Sequence, residues 1–185
     1  MESIFKDEAL QRQFDKQGYV VLKQFALAEL TRLREICSDS ERNFTEGFSA
    51  SIHNKDIDEK KRISSAIEHV LSSVVQTQFE KFRPLGASIL NKTSGQNSYM
   101  PPHQDWTITD ESKYYSATIW IPLVDTNEGN GTLRVLPQSH RYSKLLRGPS
   151  VPCALQNIRE SIFSKTQTIS FQAGDAVMLF NNTGN

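Results

Sequence analysis

In the second half of the chain, short segments rich in β-branched and aromatic residues are separated by turn residues. Such segments recur six times after Pro84, with clusters containing Gly, Asn or Asp between them. Short strands at this spacing are typical of sandwiches and barrels. The predicted strands span residues 87–92, 100–106, 114–123, 132–136, 167–171 and 176–180. We therefore predict a sheet core of the jelly-roll kind.

The first 83 residues are predicted to be mainly helical. Apolar residues recur at helical spacing over residues 6–17, 27–40 and 59–78, and Gly18 is placed to end the first helix. A β-branched run predicts a strand that starts at Tyr19 and ends near Phe25, and the polar stretch 43–58 predicts a loop or short turns. Because no linker composition separates the helical part from the strands of 84–185, we predict one domain over 1–185, of α+β class with a mainly β core.

Composition excludes several functions. Lys plus Arg and Asp plus Glu number 21 each, so the chain lacks the basic surface expected of a protein that binds nucleic acid or an anionic membrane. The charged N-terminus does not resemble a signal peptide, and no apolar run is long enough to span a membrane. Two cysteines without a nearby partner suggest reduced thiols. These features favour a cytoplasmic protein and leave the oligomeric state open.

The residues most suggestive of chemistry are His103 and Asp105. They stand two apart in a predicted strand, so both side chains are expected on one face. An imidazole and a carboxylate that converge in this way can bind one metal ion. Two histidines and a carboxylate form the facial ligand set of non-heme Fe(II), which leaves positions open for a co-substrate and dioxygen. Alone, a His-x-Asp pair is a weak signal.

Other motifs follow in a fixed order. SATIWIPL begins at Ser116, NGTLRVLPQSHR at Asn130 and AGDAVMLF at Ala173, while FDKQGYVVL begins at Phe14. Together with His103-x-Asp105, this order resembles the phytanoyl-CoA dioxygenase-like family of Fe(II)/2-oxoglutarate-dependent oxygenases. The resemblance implies a double-stranded β-helix (jelly-roll, cupin-like) core buttressed by N-terminal helices. It also implies Fe(II), with 2-oxoglutarate and dioxygen as co-substrates, and hydroxylation of a small organic substrate.

Site residues follow from the resemblance position by position. His103 and Asp105 match the first two metal ligands and are the predicted catalytic residues. Trp120 matches a position beside 2-oxoglutarate, Ser88 falls at another position lining the co-substrate, and Gln104 lies between the two ligands.

Several other polar residues are not expected to bind the metal. His140 matches a family histidine that is not a ligand, and its ring is expected to pack or to bond to backbone. His53 is expected in solvent, and His69 on the surface or in the packing of its helix. Residues 142–165 are a predicted lid, whose charged side chains are expected mostly at the surface, namely Arg147, Arg159 and Lys165.

The resemblance breaks at the end of the sequence. The family's distal histidine follows the Gly-Asp turn by about ten residues, which corresponds to Asn185 here. We therefore expect the third ligand to be absent or just beyond Asn185. The co-substrate arginine and the last core strands are expected to be missing too, as in a truncated form with poor activity.

Two other interpretations stay open. One is a catalytically degenerate double-stranded β-helix protein that only binds ligands. The other is a cupin-like metalloenzyme that does not use 2-oxoglutarate. The substrate cannot be read from the sequence, although the carboxylate of Asp105 argues against halogenation, which requires that position for halide.

Overall fold

The computed structural model describes residues 3–40, 46–93, 95–142 and 145–184, with the side chain of Gln96 excepted. The described residues belong to two compact units, one from residues 1–25 with 101–185 and the other from residues 26–100. The helices are α1 Glu8–Gln17, α2 Leu30–Ser40, α3 Ile57–Gln78 and α4 Arg159–Phe163. The strands are β1 Tyr19–Leu22, β2 Phe48–Ala50, β3 Leu90–Lys92, β4 Ala117–Trp120, β5 Arg134–Val135, β6 Gln167–Thr168 and β7 Ala176–Phe180.

The first unit is built on a three-stranded antiparallel sheet. Strand β7 lies between β1 and β4, and Val177 stands opposite both Val21 and Trp120. Strands β5 and β6 form a second antiparallel pair. The prediction for β7 is confirmed residue for residue, whereas β1, β3, β4, β5 and β6 are shorter than predicted.

The two faces of the three-stranded sheet pack against different partners, because side chains alternate along each strand. On one face, here called the front face, Val177 and Leu179 join Val135 and Phe171 in a buried apolar cluster, against which Trp120 packs. This face looks towards the residues of β5 and the segment after β6. The front face is therefore an interior surface of the first unit.

Helix α1 covers the opposite, back face. Phe14 is fully buried, and its ring stacks on that of Phe180 with 4.0 Å between centroids. Asp7 caps the start of α1, which explains why the helix begins at Glu8 rather than at residue 6. Gly18 ends it at φ 84°, and a Cβ there would collide with the ring of His140, so the position requires glycine. The predicted buttressing role is confirmed for α1.

A buried carboxylate fastens β7 to the end of β1. Asp175 is 1% exposed, and it accepts hydrogen bonds from Lys23 Nζ at 2.8 Å and from the main-chain N–H groups of Gln24 at 2.9 Å and Gln172 at 3.0 Å. Burial raises the pKa of Asp175, but the hydrogen bonds from Lys23, Gln24 and Gln172 outweigh it and hold the pKa below its ordinary value.

We expect Asp175→Ala to lower the free energy of unfolding by about 3 kcal/mol at pH 7, because it removes a buried carboxylate that accepts three hydrogen bonds. Since the folded-state pKa is depressed, this contribution is present above the ordinary aspartate pKa and is lost as the pH falls through the folded value. Urea unfolding of both proteins from pH 7 to pH 3 checks this. Asp39→Ala, at the exposed last turn of α2, is the control. A gap between wild type and Asp175→Ala that does not narrow in acid would contradict the prediction.

The second unit pairs α2 with α3 and carries the antiparallel strands β2 and β3. Strand β2 lies in the stretch 43–58, which was predicted to be a loop or short turns, so that prediction is wrong for 48–50. A 3-10 turn at Ser51–His53 agrees with it, and residues 41–45 lie outside the described part. Pairing with β3, together with the bond from the Ile89 N–H to Ser51 Oγ at 2.9 Å, orders a segment whose composition alone is loop-like.

The helices and small antiparallel sheets of the structure agree with the predicted α+β class. The assignment of the strands to an incomplete double-stranded β-helix core and the single-domain boundary 1–185 stay predictions. No helix among the described residues is long and apolar enough to cross a membrane.

Candidate metal centre

His103 and Asp105 face the same space. The His103 Nε2 atom lies 3.8 Å from Asp105 Oδ1, and both side chains are about one-third exposed, at 35% and 29%. The segment 100–106 is not a strand, so that prediction is wrong. Two consecutive prolines, Pro101 and Pro102, remove the N–H donors that a strand ladder needs there. The predicted convergence of the two side chains nevertheless holds.

The imidazole of His103 is oriented by its neighbour. Its Nδ1 lies 3.1 Å from the carbonyl oxygen of Pro101, which can only accept a hydrogen bond. In a neutral ring the proton therefore sits on Nδ1, and Nε2 keeps its lone pair on the side of Asp105. A backbone carbonyl that fixes the tautomer in this way is the usual support of a metal-binding histidine.

Asp105 is held at both ends. Its Oδ2 accepts a hydrogen bond from Thr118 Oγ1 at 2.7 Å, and its main-chain oxygen accepts one from Arg147 Nε at 2.7 Å. Oδ1, the atom nearest to His103, has no hydrogen bond that the structure describes. The carboxylate is thus fixed in direction and presents one oxygen beside the imidazole.

Two polar side chains, those of Asn181 and Ser116, lie next to Thr118. The same hydroxyl lies 3.1 Å from Asn181 Oδ1, and Asn181 Nδ2 donates to Ser116 Oγ at 2.8 Å. Asn181 is 2% exposed and follows β7 directly. Sequence reasoning missed these residues, although Ser116 and Thr118 alternate in an otherwise apolar segment, which is a sign of a polar site on one face.

Trp120 lies two residues beyond Thr118 and therefore on the same, front face of the sheet. Its half-buried indole packs edge-on against Phe171, with 5.2 Å between ring centroids. The strand thus brings an apolar ring and the hydroxyl that holds Asp105 to one side of the sheet.

Comparison with known proteins identifies the family. The sequence matches the phytanoyl-CoA dioxygenase (PhyH) family over residues 14–182. The chain belongs to this family. Phytanoyl-CoA dioxygenase relatives are non-heme iron enzymes that use Fe(II) as cofactor, with 2-oxoglutarate and dioxygen as co-substrates. A comparison with curated proteins returns no match.

Solved structures share the fold of this phytanoyl-CoA dioxygenase family chain. The non-heme α-ketoglutarate-dependent carbocyclase SnoK from nogalamycin biosynthesis is 18% identical, with a TM-score of 0.62 over 96% of this chain and 76% of SnoK. The epimerase SnoN, in complex with Fe3+, α-ketoglutarate and nogalamycin RO, is 17% identical, with a TM-score of 0.63 over 96% of this chain and 75% of SnoN. A second SnoN structure has a TM-score of 0.58 at 17% identity, over 96% of this chain and 72% of that one.

The other predicted co-substrate residues are placed as follows in this family member. Gln104 is 7% exposed, its Nε2 donates to the carbonyl oxygen of Asn182, and its Oε1 is buried without a described partner. Ser88 belongs to the second unit, where it is half-buried just before Ile89. The co-substrate roles of Trp120, Gln104 and Ser88 stay predictions.

The remaining histidines lie elsewhere. His140 stacks on Phe180 with 5.2 Å between ring centroids, and its Nε2 lies 3.2 Å from the Asp15 carbonyl oxygen, which is the packed, backbone-bonded state predicted for it. His53 and His69 are exposed, also as predicted. Asn185, the predicted position of the third ligand, lies outside the described residues. Among the described residues no three His, Cys, Asp or Glu side chains cluster as a metal site would.

The donors that are present fit the family metal. Non-heme Fe(II) prefers two histidines and one carboxylate as ligands. His103 Nε2 and Asp105 Oδ1, which lie close together on partly exposed side chains, supply one histidine and the carboxylate of this set. Each is oriented by a partner of the kind that metal ligands usually have.

Proposed function

We propose that this protein is an Fe(II)/2-oxoglutarate-dependent dioxygenase that hydroxylates a small organic substrate. The observation that carries the proposal is the convergence of His103 Nε2 and Asp105 Oδ1 at 3.8 Å, with His103 Nδ1 and Asp105 Oδ2 already engaged by Pro101 and Thr118. The two atoms left to bind a metal, His103 Nε2 and Asp105 Oδ1, therefore face the same space in a chain of the PhyH family. In this proposal the strands form part of a double-stranded β-helix core.

The residues divide the work as follows. His103 and Asp105 would hold Fe(II), which would supply the activation of dioxygen coupled to conversion of 2-oxoglutarate into succinate and carbon dioxide, with one oxygen atom going to succinate and the other to a hydroxyl group on the substrate. Thr118 keeps the carboxylate of Asp105 in one orientation, so that little reorganisation is needed when the metal binds.

Trp120 and Gln104 are proposed to shape the co-substrate side of the site. The indole of Trp120 forms an apolar wall on the front face and excludes water. Gln104 Oε1 can only accept a hydrogen bond, and the 2-oxoglutarate dianion has no donor, so contact between the two would run through a water molecule. The co-substrate role of Ser88 stays a prediction from the sequence.

An anaerobic titration with Fe(II) and 2-oxoglutarate tests this function. A chelated complex gives a visible charge-transfer band, and admission of dioxygen should then convert 2-oxoglutarate to succinate. A band that requires both components supports the proposal. Metal binding with no response to 2-oxoglutarate would favour a cupin-like metalloenzyme of another class. No binding of either component would favour a non-catalytic binding protein.

We expect Thr118→Val to weaken metal binding by about 10–100-fold, because valine keeps the shape of threonine and removes the hydroxyl that orients Asp105. Fe(II) or Co(II) affinity measured by titration checks this. Thr168→Val is a matched control, since Thr168 is also a strand threonine whose hydroxyl donates to a carboxylate, that of Glu128 at 2.7 Å. Equal affinities in wild type and Thr118→Val would contradict the assignment.

A further inference from the structure

Arg147 is a buried arginine in the segment that was expected to form an exposed lid. It is 8% exposed, and its guanidinium makes a separate contact through each nitrogen. Nε donates to the Asp105 carbonyl oxygen at 2.7 Å, Nη1 to the Leu145 carbonyl oxygen at 2.9 Å, and Nη2 to Glu111 Oε1 at 2.5 Å. The expectation that Arg147 is a solvated surface residue is therefore wrong.

The contacts of Arg147 join three separate pieces of chain within the first unit. Its own N–H donates to Thr107 Oγ1 at 3.1 Å, and the Thr107 N–H donates to the Arg147 carbonyl oxygen at 3.0 Å. Residues 105–107, residue 111 and residues 145–147 are thus tied together by one side chain and two main-chain groups. The metal-ligand candidate Asp105 lies within the first of these pieces.

The Arg147–Glu111 pair is poorly explained as a source of stability. Both side chains are largely removed from water, at 7% and 20% exposure, and the cost of desolvating two charges cancels much of their attraction. What such a pair can control is geometry, because the planar guanidinium has donors in a fixed fork. The donor at Nε is the one that binds the main chain of Asp105.

We propose that Arg147, held by Glu111, is a positioning residue for the metal-binding carboxylate of Asp105. Thr118 fixes the carboxylate end of Asp105 and Arg147 fixes its main-chain end, so that the side chain has one direction available. The segment 145–147 is thereby coupled to the metal ligand. This inference rests on the proposed function, since it assigns a role within the same metal centre.

The test is Co(II) affinity of the protein, followed by the absorption of the bound ion and compared with thermal unfolding of the metal-free state. We expect Arg147→Met to weaken Co(II) binding about 10–100-fold, as the loss of other outer partners of metal ligands does. The Arg147→Lys variant should also bind Co(II) weakly, because one ammonium group cannot reproduce the forked hydrogen bonds to Asp105 and Glu111. Glu111→Gln, which keeps an acceptor of the same shape, should show a smaller loss.

Arg134→Met is the control for a purely structural effect. Arg134 is also partly buried, and it donates to Thr166, Thr168 and Glu128, with no described contact to Asp105. The proposal requires that Arg134→Met lower the melting temperature without changing Co(II) affinity. If Arg147→Met does not fold, the Co(II) affinity of Glu111→Gln tests the proposal instead.

The two proposals can fail separately. Wild-type affinity in Arg147→Met, or in Glu111→Gln where that variant decides, overturns the positioning role and leaves the proposed function standing. A wild type that binds no Co(II) overturns the proposed function, and the positioning role with it.

Discussion

His103→Ala removes metal binding and 2-oxoglutarate turnover together. Losing an outer partner of a metal ligand typically costs 10–100-fold in affinity, so losing the ligand itself should exceed about 100-fold. Among the described residues no third His, Cys, Asp or Glu side chain joins His103 and Asp105, so none of these donor types stands there to replace the imidazole. Fe(II) titration under anaerobic conditions, followed by succinate formation in air, measures both losses on one sample.

Asp105→Asn is the companion variant. Asparagine keeps an oxygen that can accept the hydrogen bond from Thr118 and keeps the main-chain oxygen that accepts from Arg147, while it removes the negative charge. We therefore expect the fold to be retained and the metal affinity to fall by a similar factor. A stable Asp105→Asn protein without metal would show that the charge, rather than the local structure, is what the site requires.

His69→Ala is the matched control for His103→Ala. His69 is exposed on α3 and belongs to the second unit, so its loss should change neither metal affinity nor turnover. If His69→Ala and His103→Ala behave alike, or if His103→Ala binds Fe(II) as the wild type does, the metal centre is not where we place it.

Local patterns predicted the elements whose signals are complete within a few residues. Strand β7 has an apolar run of five residues after a Gly-Asp turn, and α1 has apolar residues at helical spacing and a terminating Gly18. The His103-x-Asp105 pair was found for the same reason, because two residues two apart in extended chain share a side whether or not a ladder forms. The prediction of a strand around them was wrong, because Pro101 and Pro102 have no main-chain N–H to donate to a neighbouring strand.

The support of the site depended on contacts that sequence spacing does not reveal. Thr118 reaches Asp105 across 13 residues, Arg147 reaches it across 42, and Asn181 reaches Thr118 across 63. A charged residue in a predicted lid is ordinarily solvated, and only the folded chain provides Glu111 and the Asp105 carbonyl oxygen as partners for Arg147. Strand β2 was missed on similar grounds, because its pairing with β3 is tertiary.

Phe14→Ala is expected to lower the free energy of unfolding by about 3–5 kcal/mol, the usual cost of deleting a buried ring from a core. Phe14 is fully buried, stacks on Phe180 at 4.0 Å, and meets Phe5 edge-on at 5.5 Å. The ring therefore couples α1 to the back face of β7. Denaturant unfolding monitored by circular dichroism measures the change, and Phe82→Ala, at a ring that is 42% exposed, is the control.

The same variant separates the fold from the site. Phe14 lies behind the sheet, whereas Thr118 and Trp120 lie on the front face. Below its unfolding transition, Phe14→Ala should therefore bind Co(II) with wild-type affinity, even though it melts earlier. A weakened affinity in the folded protein would mean that packing behind β7 sets the geometry of Asp105. A loss of stability no larger than that of Phe82→Ala would mean that α1 is not a structural support of the sheet.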